Sequence, residues 1–430
     1  MSLKIRLIVI FFINICFIFN IKAQVQPSLL TINGRFLMDD CGDTIILKGF
    51  NHGNIWTTNW GIDELPEIEK SGANCVRICL EKTWFNWNTN TLENINATNI
   101  EQIISSCLSF KMIPIIELHD YTSVSSNALV TLPDAVSFWI SPSILNLIKK
   151  YQNYLILNIA NEPEHGDLSD FEYYNANSQA INLLRNAGID APIMIDAKTW
   201  GTEEIFFYNY GQNLIQNDPL HKLLFSVHAY WDNVSFSNQQ LSSKFNAMSL
   251  SNLPFVLGEF SFFNASTNTA INYSKLLDLM HQYSIGGLAW WWGFKNQSSN
   301  NVLSFTTNGL FSGLSNEGLE ITVNNIYSIK NTSKRIYKLV NGDCFLGLKN
   351  INNCEYNIWP NPTNHDFIIN SSKIINELTI LTQLGEKLHK KSICNSTAII
   401  NDLDLENGGY IVKIQFSDNT FGYSKLIVEK

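Results

Sequence analysis

Two glutamates, Glu162 and Glu259, each end a run of apolar residues, in LILNIANEP and FVLGEF. A carboxyl group at the end of a buried strand is costly unless it is used, because burial disfavours its charged form. Two carboxyl groups facing one site are what glycosidic cleavage needs: one protonates the leaving oxygen and the other attacks the anomeric carbon. Either glutamate alone could equally be an exposed strand end or a helix cap. Together they predict a glycosidase site.

Five further residues occupy comparable positions. Arg77 interrupts the apolar run NCVRICL, where a cation is expensive without a carboxylate partner. His119 ends a third run, His228 and Tyr230 end a sixth, and Trp290 lies in the last, GLAWWW. A single histidine at a strand end is more often a satisfied structural residue. Polar and aromatic groups at so many strand ends instead predict one site shared with the two glutamates.

The runs themselves recur as strand, turn and helix between residues 44 and 295. Their lack of alternation indicates strands buried on both faces of a parallel sheet, and starts about 30 to 41 residues apart leave room for a crossover helix. Eight such units in about 250 residues predict a closed (β/α)₈ TIM barrel. The runs begin near Thr44, Asn74, Ile113, Tyr154, Pro192, Leu223, Pro254 and Gly287.

An open doubly wound sheet is the alternative fold. It usually has a glycine-rich phosphate loop after its first strand, whereas Gly49 and Gly53 in GFNHG do not match GxGxxG. The barrel is therefore favoured. Residues 29 to 43 predict a hairpin that turns at Asn33-Gly34 and covers the bottom of the barrel.

Beyond Lys295 the sequence becomes rich in Asn, Ser and Gly, with one final helix predicted over GLEITVNNIYSIK. From Tyr356 onward, short alternating strands predict a small all-β sandwich. We therefore expect a signal peptide at 1–23, a barrel domain at 24–330, a linker at 331–355 and a β-domain at 356–430. The expected strands of that domain are Asp366–Ile369, Glu377–Leu381, Ala398–Leu403, Tyr410–Phe416 and Gly422–Val428.

The composition of the chain indicates which classes of molecule it could bind. The 430 residues carry a net charge of -9, which argues against nucleic acid, and 11 Trp suit the stacking of flat ligands. Lys4 and Arg6, the apolar run 7–19 and Ala23 predict an export signal, because the run is too short for a membrane span. Cys16 lies inside that run, which disfavours lipidation.

Seven of the 8 Cys would remain after removal of the signal, at irregular spacing and without CxxC. We therefore expect neither a disulfide framework nor a metal site. We also expect that the protein needs no cofactor and is a monomer. Cys344 and Cys354 could close a small loop.

The barrel segment resembles glycoside hydrolase family 5, and its bacterial β-mannanase branch in particular. The resemblance is carried, from Leu47 to Asn296, by LKGFNHG, GANCVRICL, IIELHD, LNIANEP, MIDAKTWG, NDPLHKLLFSVHAY, FVLGEF and LAWWW. It implies retaining hydrolysis of a β-1,4-linked polysaccharide, with Glu162 as acid/base and Glu259 as nucleophile. It also implies that Asn161 binds the sugar 2-hydroxyl. The other implied substrate-binding residues are Arg77, His119, Trp200, His228, Tyr230 and Trp290.

Two departures leave the substrate open. The β-mannanases usually have a Trp after the acid/base, where this chain has Pro163, and the loop SFFNAS after Glu259 lacks a His-rich stretch. An endo-β-1,4-mannanase is expected, with an endo-β-1,4-glucanase as the alternative. A non-catalytic carbohydrate-binding barrel would lack one of the two carboxylates, and a surface adhesin would not need Arg77, His119 and His228 at strand ends.

The C-terminal segment resembles the type IX secretion sorting domain. The resemblance is carried by YNIWPNP from Tyr356, the strand GGYIVKI and the final GYSKLIVEK. It implies recognition by a secretion machinery and a secreted or cell-surface protein. A small carbohydrate-binding sandwich is the alternative, but this segment has a single Trp and no evident aromatic platform.

Overall fold

The structure is a computed structural model of the chain. It describes residues 27–53, 56–86, 91–122, 126–293, 303–342, 344, 356–364, 366–382, 386–401, 403–418 and 421–430. The chain forms two compact units, Met1–Gly342 and Asp343–Lys430. The predicted signal peptide, Cys16 and Cys354 lie outside the described residues.

The first unit is a closed barrel of eight parallel strands, β1 to β8, each hydrogen-bonded to its neighbours in chain order, with β8 pairing back to β1. The strands are Lys48–His52, Cys75–Leu80, Ile113–Leu118, Ile156–Asn158, Ile193–Asp196, Leu223–Ala229, Phe255–Phe260 and Gly286–Ala289. Every residue of these strands is buried, as their unbroken apolar runs predict. The TIM-barrel prediction is confirmed.

The first apolar run divides between two sheets. Ile45 pairs with Leu37 in a small sheet ahead of the barrel, and β1 begins only at Lys48, whose backbone N–H donates to Asn74 Oδ1 at 2.8 Å. The predicted hairpin is present: it turns at Gly34, whose φ of +56° suits glycine. Its strands are Thr31–Asn33, Phe36–Met38 and Thr44–Ile45.

The small sheet closes the bottom of the barrel. Leu37 and Ile45 share one apolar cluster with residues at the starts of the barrel strands, among them Ile113, Met194 and Leu224. Water is thereby excluded from the end opposite the strand carboxyl termini. Polar chemistry is left to the mouth of the barrel.

Helices surround the barrel, and because each follows a strand, its N-terminus lies on the mouth side. Several starts are fixed by capping boxes; at Ser169, the hydroxyl accepts from the Glu172 N–H while the Glu172 carboxylate accepts from the Ser169 N–H. The principal helices are Leu65–Glu69, Ala97–Ser109, Ala128–Trp139, Pro142–Tyr151, Asp170–Asn186, Ile205–Asn217, Asn238–Leu250 and Tyr273–Tyr283.

Within the described ranges, no single helix is long and apolar enough to cross a membrane. The bent pair Ala128–Trp139 and Pro142–Tyr151, with 74° between its helices, meets the length and composition criteria only when taken together.

The final helix predicted over residues 318–330 is interrupted, so that prediction is wrong in its extent. Asn325 is extended and its Oδ1 accepts from the Tyr327 N–H, which competes with continued helix. The segments found are Asn316–Leu319, the π-helical Glu320–Asn324, and Ile329–Thr332, followed by Tyr337–Asn341. Residues expected in the linker also pack on the barrel: Arg335 Nη1 donates to Glu69 at 2.7 Å.

The second unit is a five-stranded antiparallel sheet with its own apolar core. Its strands are Tyr356–Trp359, Phe367–Leu381, Lys387–Ile400, Gly408–Phe416 and Phe421–Val428. Two predicted strands, 366–369 and 377–381, are one continuous strand. The polar residues between them do not form a turn, because pairing with the next strand continues through register shifts between Asn370 and Glu377.

The cysteines in the described part of the chain are of two kinds, disulfide-bonded and free. Cys41 and Cys344 each take part in a disulfide bond, whereas Cys75, Cys79 and Cys107 are free and buried among packing residues. Cys394 is free and exposed.

The glycine at position 49 is required by the closeness of β1 to β2. A Cβ there would lie 1.9 Å from the backbone oxygen of Cys75, so Gly49→Ala should lower the free energy of unfolding by at least about 2 kcal/mol. The matched control is Gly211→Ala in a helix, where the added methyl meets side-chain atoms and no backbone: Leu253 Cδ1 at 2.8 Å and Phe225 Cε2 at 3.2 Å. Side chains can shift more easily than backbone, and a glycine inside a helix itself costs about 0.5–1 kcal/mol. Urea unfolding of both variants tests this, and equal stabilities would contradict it.

Candidate active site

Glu162 and Glu259 meet at the mouth of the barrel. Glu259 is part of β7, and Glu162 lies four residues beyond β4 with a left-handed backbone, φ 45°. One carboxyl oxygen of each lies within 4.8 Å of the other, and His228 Nδ1 lies within the same distance of both. Both glutamates are buried. The predicted convergence of the two carboxyl groups is present.

Arg77 is the central donor of the site. Its side chain is fully buried, and Nη1 donates to Glu259 Oε1 at 3.0 Å. Nη2 donates to Asn161 Oδ1 at 2.7 Å and to Asp196 Oδ2 at 3.4 Å. Glu117 Oε1 lies 3.6 Å from Nη1. A buried guanidinium is tolerated because three carboxylates surround it, as the interrupted strand predicts.

Asp196, which the sequence reasoning did not single out, is the last residue of β5. Its Oδ2 accepts from the backbone N–H of Glu162 at 3.1 Å and lies 3.4 Å from His228 Nε2. Burial opposes its ionisation, but His228, Arg77 and the Glu162 N–H lower the pKa of Asp196 well below its usual range. Asp196 is therefore ionised at neutral pH, where it accepts from the Glu162 backbone and faces His228. The sequence signal that could have identified it is a charged residue at the end of an apolar run, the Asp in MIDA.

Glu259 accepts hydrogen bonds from Tyr230 Oη at 2.7 Å and from Arg77. Burial, together with the neighbouring Glu162, raises the pKa of Glu259 even though His228 and Arg77 oppose this shift. Two carboxyl groups this close cannot both ionise freely, so the pair holds one proton over part of the pH range.

His228 Nδ1 bonds Glu162 Oε1 at 2.7 Å and lies 3.7 Å from Glu259 Oε2. Burial disfavours the imidazolium, but Glu259, Asp196 and Glu162 together raise the pKa of His228 to about 10. His228 is therefore the second cation of the site.

An aromatic wall stands on the side of β8, β1 and β3. The rings of Trp290 and His119 stack at 5.4 Å with 16° between their planes, and Trp56 contacts both edge-on. His119 Nδ1 is 2.8 Å from Glu117 Oε1. Burial opposes protonation of His119, but Glu117 raises its pKa overall. Trp56 and Glu117 were not among the predicted residues. Glu117 could have been identified as a charged residue inside the apolar run IIELHD.

Trp200 lies apart from this wall, on the side of β4 and β5. Its indole is 46% exposed and stacks on the ring of His165 at 5.0 Å with 9° between planes. Asn161 is held by Arg77 and by Thr122 Oγ1, to which its Nδ2 donates at 2.5 Å. All nine predicted site residues lie at or beside the mouth. Asn51 and Asn158, which accept from Arg77, were missed.

Two groups in the mouth have donor atoms close enough for a metal ion, Glu162 with His228 and Glu259, and Cys79 with Glu117 and His119. In each group protein partners already occupy donor atoms, through the His228–Glu162 and His119–Glu117 bonds. This arrangement suits proton transfer between side chains more than metal ligation, which needs deprotonated, available ligands. The expectation of a metal-free site remains a prediction.

Comparison with known proteins identifies the families to which the two parts of the chain are similar. The family described as cellulase (glycosyl hydrolase family 5) matches residues 38–296, and the secretion system C-terminal sorting domain matches residues 357–429. The chain is similar to the mannan endo-1,4-beta-mannosidase of Cellvibrio japonicus, 31% identical over 307 residues, covering 71% of this chain and 68% of the relative.

Two further similarities agree with the first. The mannan endo-1,4-beta-mannosidase of Salipaludibacillus agaradhaerens is 29% identical over 261 residues, covering 61% of this chain and 80% of that protein. The crystal structure of the beta-mannanase from Streptomyces thermolilacinus superposes with a TM-score of 0.63 at 25% identity, covering 73% of this chain and 100% of that one.

The surroundings of His228 predict that its ring is protonated well above neutral pH. With ¹³C-labelled histidine, the His228 signal, assigned with a His228→Asn variant, should titrate near pH 10. Since this pKa lies above the unfolded value of about 6.5, protonation stabilises the fold fully below about pH 6.5, and this contribution is lost as pH rises to about 10. The exposed His221 is the internal control. A neutral His228 ring at pH 8 would contradict the prediction.

Proposed function

The chain belongs to glycosyl hydrolase family 5 and is a glycoside hydrolase, and on that premise we propose that it is an endo-β-1,4-mannanase that acts by double displacement with retention. The observation that carries the mechanism is the closeness of Glu162 and Glu259, with oxygens within 4.8 Å. Retaining enzymes hold the two carboxyl groups about 5–5.5 Å apart, whereas inverting enzymes need about 6.5–9.5 Å to admit a water.

Different partners support different roles for the two glutamates. Burial and Glu162 raise the pKa of Glu259, but Arg77 opposes this shift, and the hydrogen bonds from Arg77 and Tyr230 hold the Glu259 carboxyl group in place as the proposed nucleophile. Glu162 has His228 as its side-chain partner and is proposed as the acid/base. In the first step Glu259 attacks the anomeric carbon, the glycosidic bond breaks, and the proton of Glu162 passes to the leaving oxygen.

The second step reverses the proton transfer. Forming the ester removes the negative charge of Glu259, so ionised Glu162 is no longer opposed by a neighbouring anion. Glu162 then takes a proton from water as the water oxygen attacks the anomeric carbon and the ester bond to Glu259 breaks. Arg77 and Tyr230 stabilise the departing carboxylate.

We favour mannan as the substrate because two relatives are mannan endo-1,4-beta-mannosidases and a structural neighbour is a beta-mannanase. An endo-β-1,4-glucanase remains the second candidate, since the family is described as cellulase and Pro163 departs from the mannanase pattern. Trp290 and Trp200 would stack on pyranose rings of either polymer, so ring stacking does not separate the two.

The C-terminal sorting domain indicates a secreted or cell-surface protein. We propose that residues 1–23 direct export from the cytoplasm and that a secretion machinery then recognises the sorting domain. The isolated core of the second unit supports a domain that folds by itself.

The roles of the two glutamates can be separated with an activated aryl mannoside and azide. Glu162→Ala should lose about 10²–10⁴-fold on mannan but less on the aryl substrate, which needs little protonation, and azide should give the β-mannosyl azide. Glu259→Ala should show no turnover alone, and azide should give the α-anomer. NMR of the azide products is the measurement; the opposite pairing of anomers would reverse the roles.

Substrate preference is tested on galactomannan and carboxymethylcellulose in parallel. The wild-type protein should release reducing ends from galactomannan far faster than from carboxymethylcellulose, with Glu259→Ala as the blank. Faster release from carboxymethylcellulose would replace the mannanase with the glucanase.

A further inference from the structure

We propose that the Glu117 carboxylate holds the His119 ring as a cation, so that the ring offers an N–H donor, and not a lone pair, to an oxygen of the bound sugar. The inference rests on the proposed function, because it takes His119 as a sugar-binding residue. Glu117 is fully buried and is a positioning residue that acts through His119.

One oxygen of Glu117 lies between two basic groups and is nearer to the imidazole. Glu117 is next to the last residue of β3, and its Oε1 is 2.8 Å from His119 Nδ1 but 3.6 Å from Arg77 Nη1. Arg77 Nη1 is closer to Glu259 Oε1, at 3.0 Å. The nearer partner of Glu117 is therefore His119, and a buried carboxylate at hydrogen-bond distance favours the protonated ring.

The second oxygen of Glu117 makes a purely structural role costly. Oε2 is buried and has no hydrogen-bond partner in the part of the chain that the structure describes. Buried polar groups without partners are rare in folded proteins, and a role in catalysis is one reason for them. The partner of Glu117 in the β2–β3 pairing is Cys79, and burial raises the pKa of this thiol well above its ordinary value. Cys79 therefore supplies no counter-charge for Glu117, whereas a protonated His119 does.

The protonation of the His119 ring depends on groups from several strands. Burial and Arg77 disfavour the imidazolium, whereas Glu117, which is in direct contact, and then Glu259 favour it and raise the pKa of His119 overall. Glu81, which follows β2, also interacts with His119, but burial raises the pKa of Glu81, so that it binds a proton more readily. Glu117 is therefore the carboxylate on which the charge of His119 chiefly depends.

Neighbouring rings hold His119 in one orientation. Its ring stacks on Trp290 at 5.4 Å with 16° between their planes, and Trp56 contacts it edge-on. The next residue, Asp120, accepts instead from the Lys82 backbone N–H at 3.1 Å. A ring fixed in this way loses little conformational freedom when it binds a sugar.

The charge of His119 decides which kind of hydrogen bond the ring can make. With Nδ1–H donated to Glu117, a neutral ring has only a lone pair at Nε2, whereas the imidazolium has an N–H there. A sugar hydroxyl can bind to either, but its bond to the imidazolium is charge-assisted and roughly twice as strong as a neutral one. Loss of the Glu117 charge should therefore weaken the hold on the sugar without removing the ring.

The first measurement needs no substrate. With ¹³C-labelled histidine, the His119 signal, assigned by its absence from His119→Asn, should titrate above the ordinary value of about 6.5 in the wild type and below that value in Glu117→Gln. Glutamine keeps an oxygen that can accept from Nδ1–H but removes the charge, so burial then disfavours the imidazolium. Glu117→Asp keeps the charge and should keep the high titration. A low titration in the wild type, or an unchanged one in folded Glu117→Gln, would overturn the proposal.

The second measurement is kcat/KM against pH on galactomannan. In Glu117→Gln it should fall about 10–100-fold at about pH 8, the loss of one charge-assisted hydrogen bond. The loss should be smaller at lower pH, where the ring regains its proton, so the alkaline limb moves to lower pH. In the His119→Asn background the same substitution should cost less than about twofold, because Glu117 then has no ring on which to act. An equal loss in both backgrounds would overturn the proposal, since Glu117 would then act through Arg77.

Asp218→Asn is the matched control. It removes a buried carboxylate from a guanidinium, that of Arg185 at 2.8 Å, at the C-terminal end of a helix and away from the mouth. It should leave the His119 titration and the alkaline limb unchanged, and a shift of either would overturn the proposal by showing that lost stability alone moves them. If the wild type cuts carboxymethylcellulose and not galactomannan, the mannan proposal fails, and the same variants are compared on carboxymethylcellulose. Should Glu117→Gln fail to fold, the titrations of the wild type and Glu117→Asp still decide.

Discussion

The buried ion cluster around Arg77 is the constraint on which the site depends. A guanidinium in the middle of an apolar barrel is stable only if carboxylates and amide oxygens surround it. Glu259, Asp196 and Glu117 supply the charges, and Asn161 supplies an amide oxygen. These residues come from different strands. The barrel must therefore close correctly for Arg77 to meet its partners and for Glu259 to be oriented as the nucleophile.

The same cluster also influences the charges of the neighbouring residues in the mouth. Asp196 is kept ionised by Arg77 and His228, and it holds the backbone of Glu162 in a left-handed conformation. His228 then contacts both catalytic carboxyl groups as a cation. Because Glu162 and Glu259 lie within 4.8 Å of each other, ionisation of one disfavours ionisation of the other, and the pair can share one proton, as acid and base catalysis requires.

The opposite end of the barrel has a contrasting design. There the hairpin strands place Leu37 and Ile45 against the starts of the barrel strands, so the bottom is apolar and closed. Stability and chemistry are thus separated along one axis, which lets the mouth hold strained residues such as Trp200 and Glu162. The second unit has an apolar core of its own.

The sequence by itself determined the barrel, the eight strands and the two carboxyl groups, because continuous apolar runs and strand-end polar residues are local patterns. It also indicated Arg77, since a lone charge in such a run must have partners. It did not identify Asp196, Glu117 or Asn158, whose importance comes from which strands become neighbours. Nor could periodicity show that the final helix breaks at Asn325, or that residues 367–381 form one strand, because side-chain hydrogen bonds and partner strands decide both. The stacking of Trp200 on His165, contributed by loops 35 residues apart, was decided only by the tertiary structure.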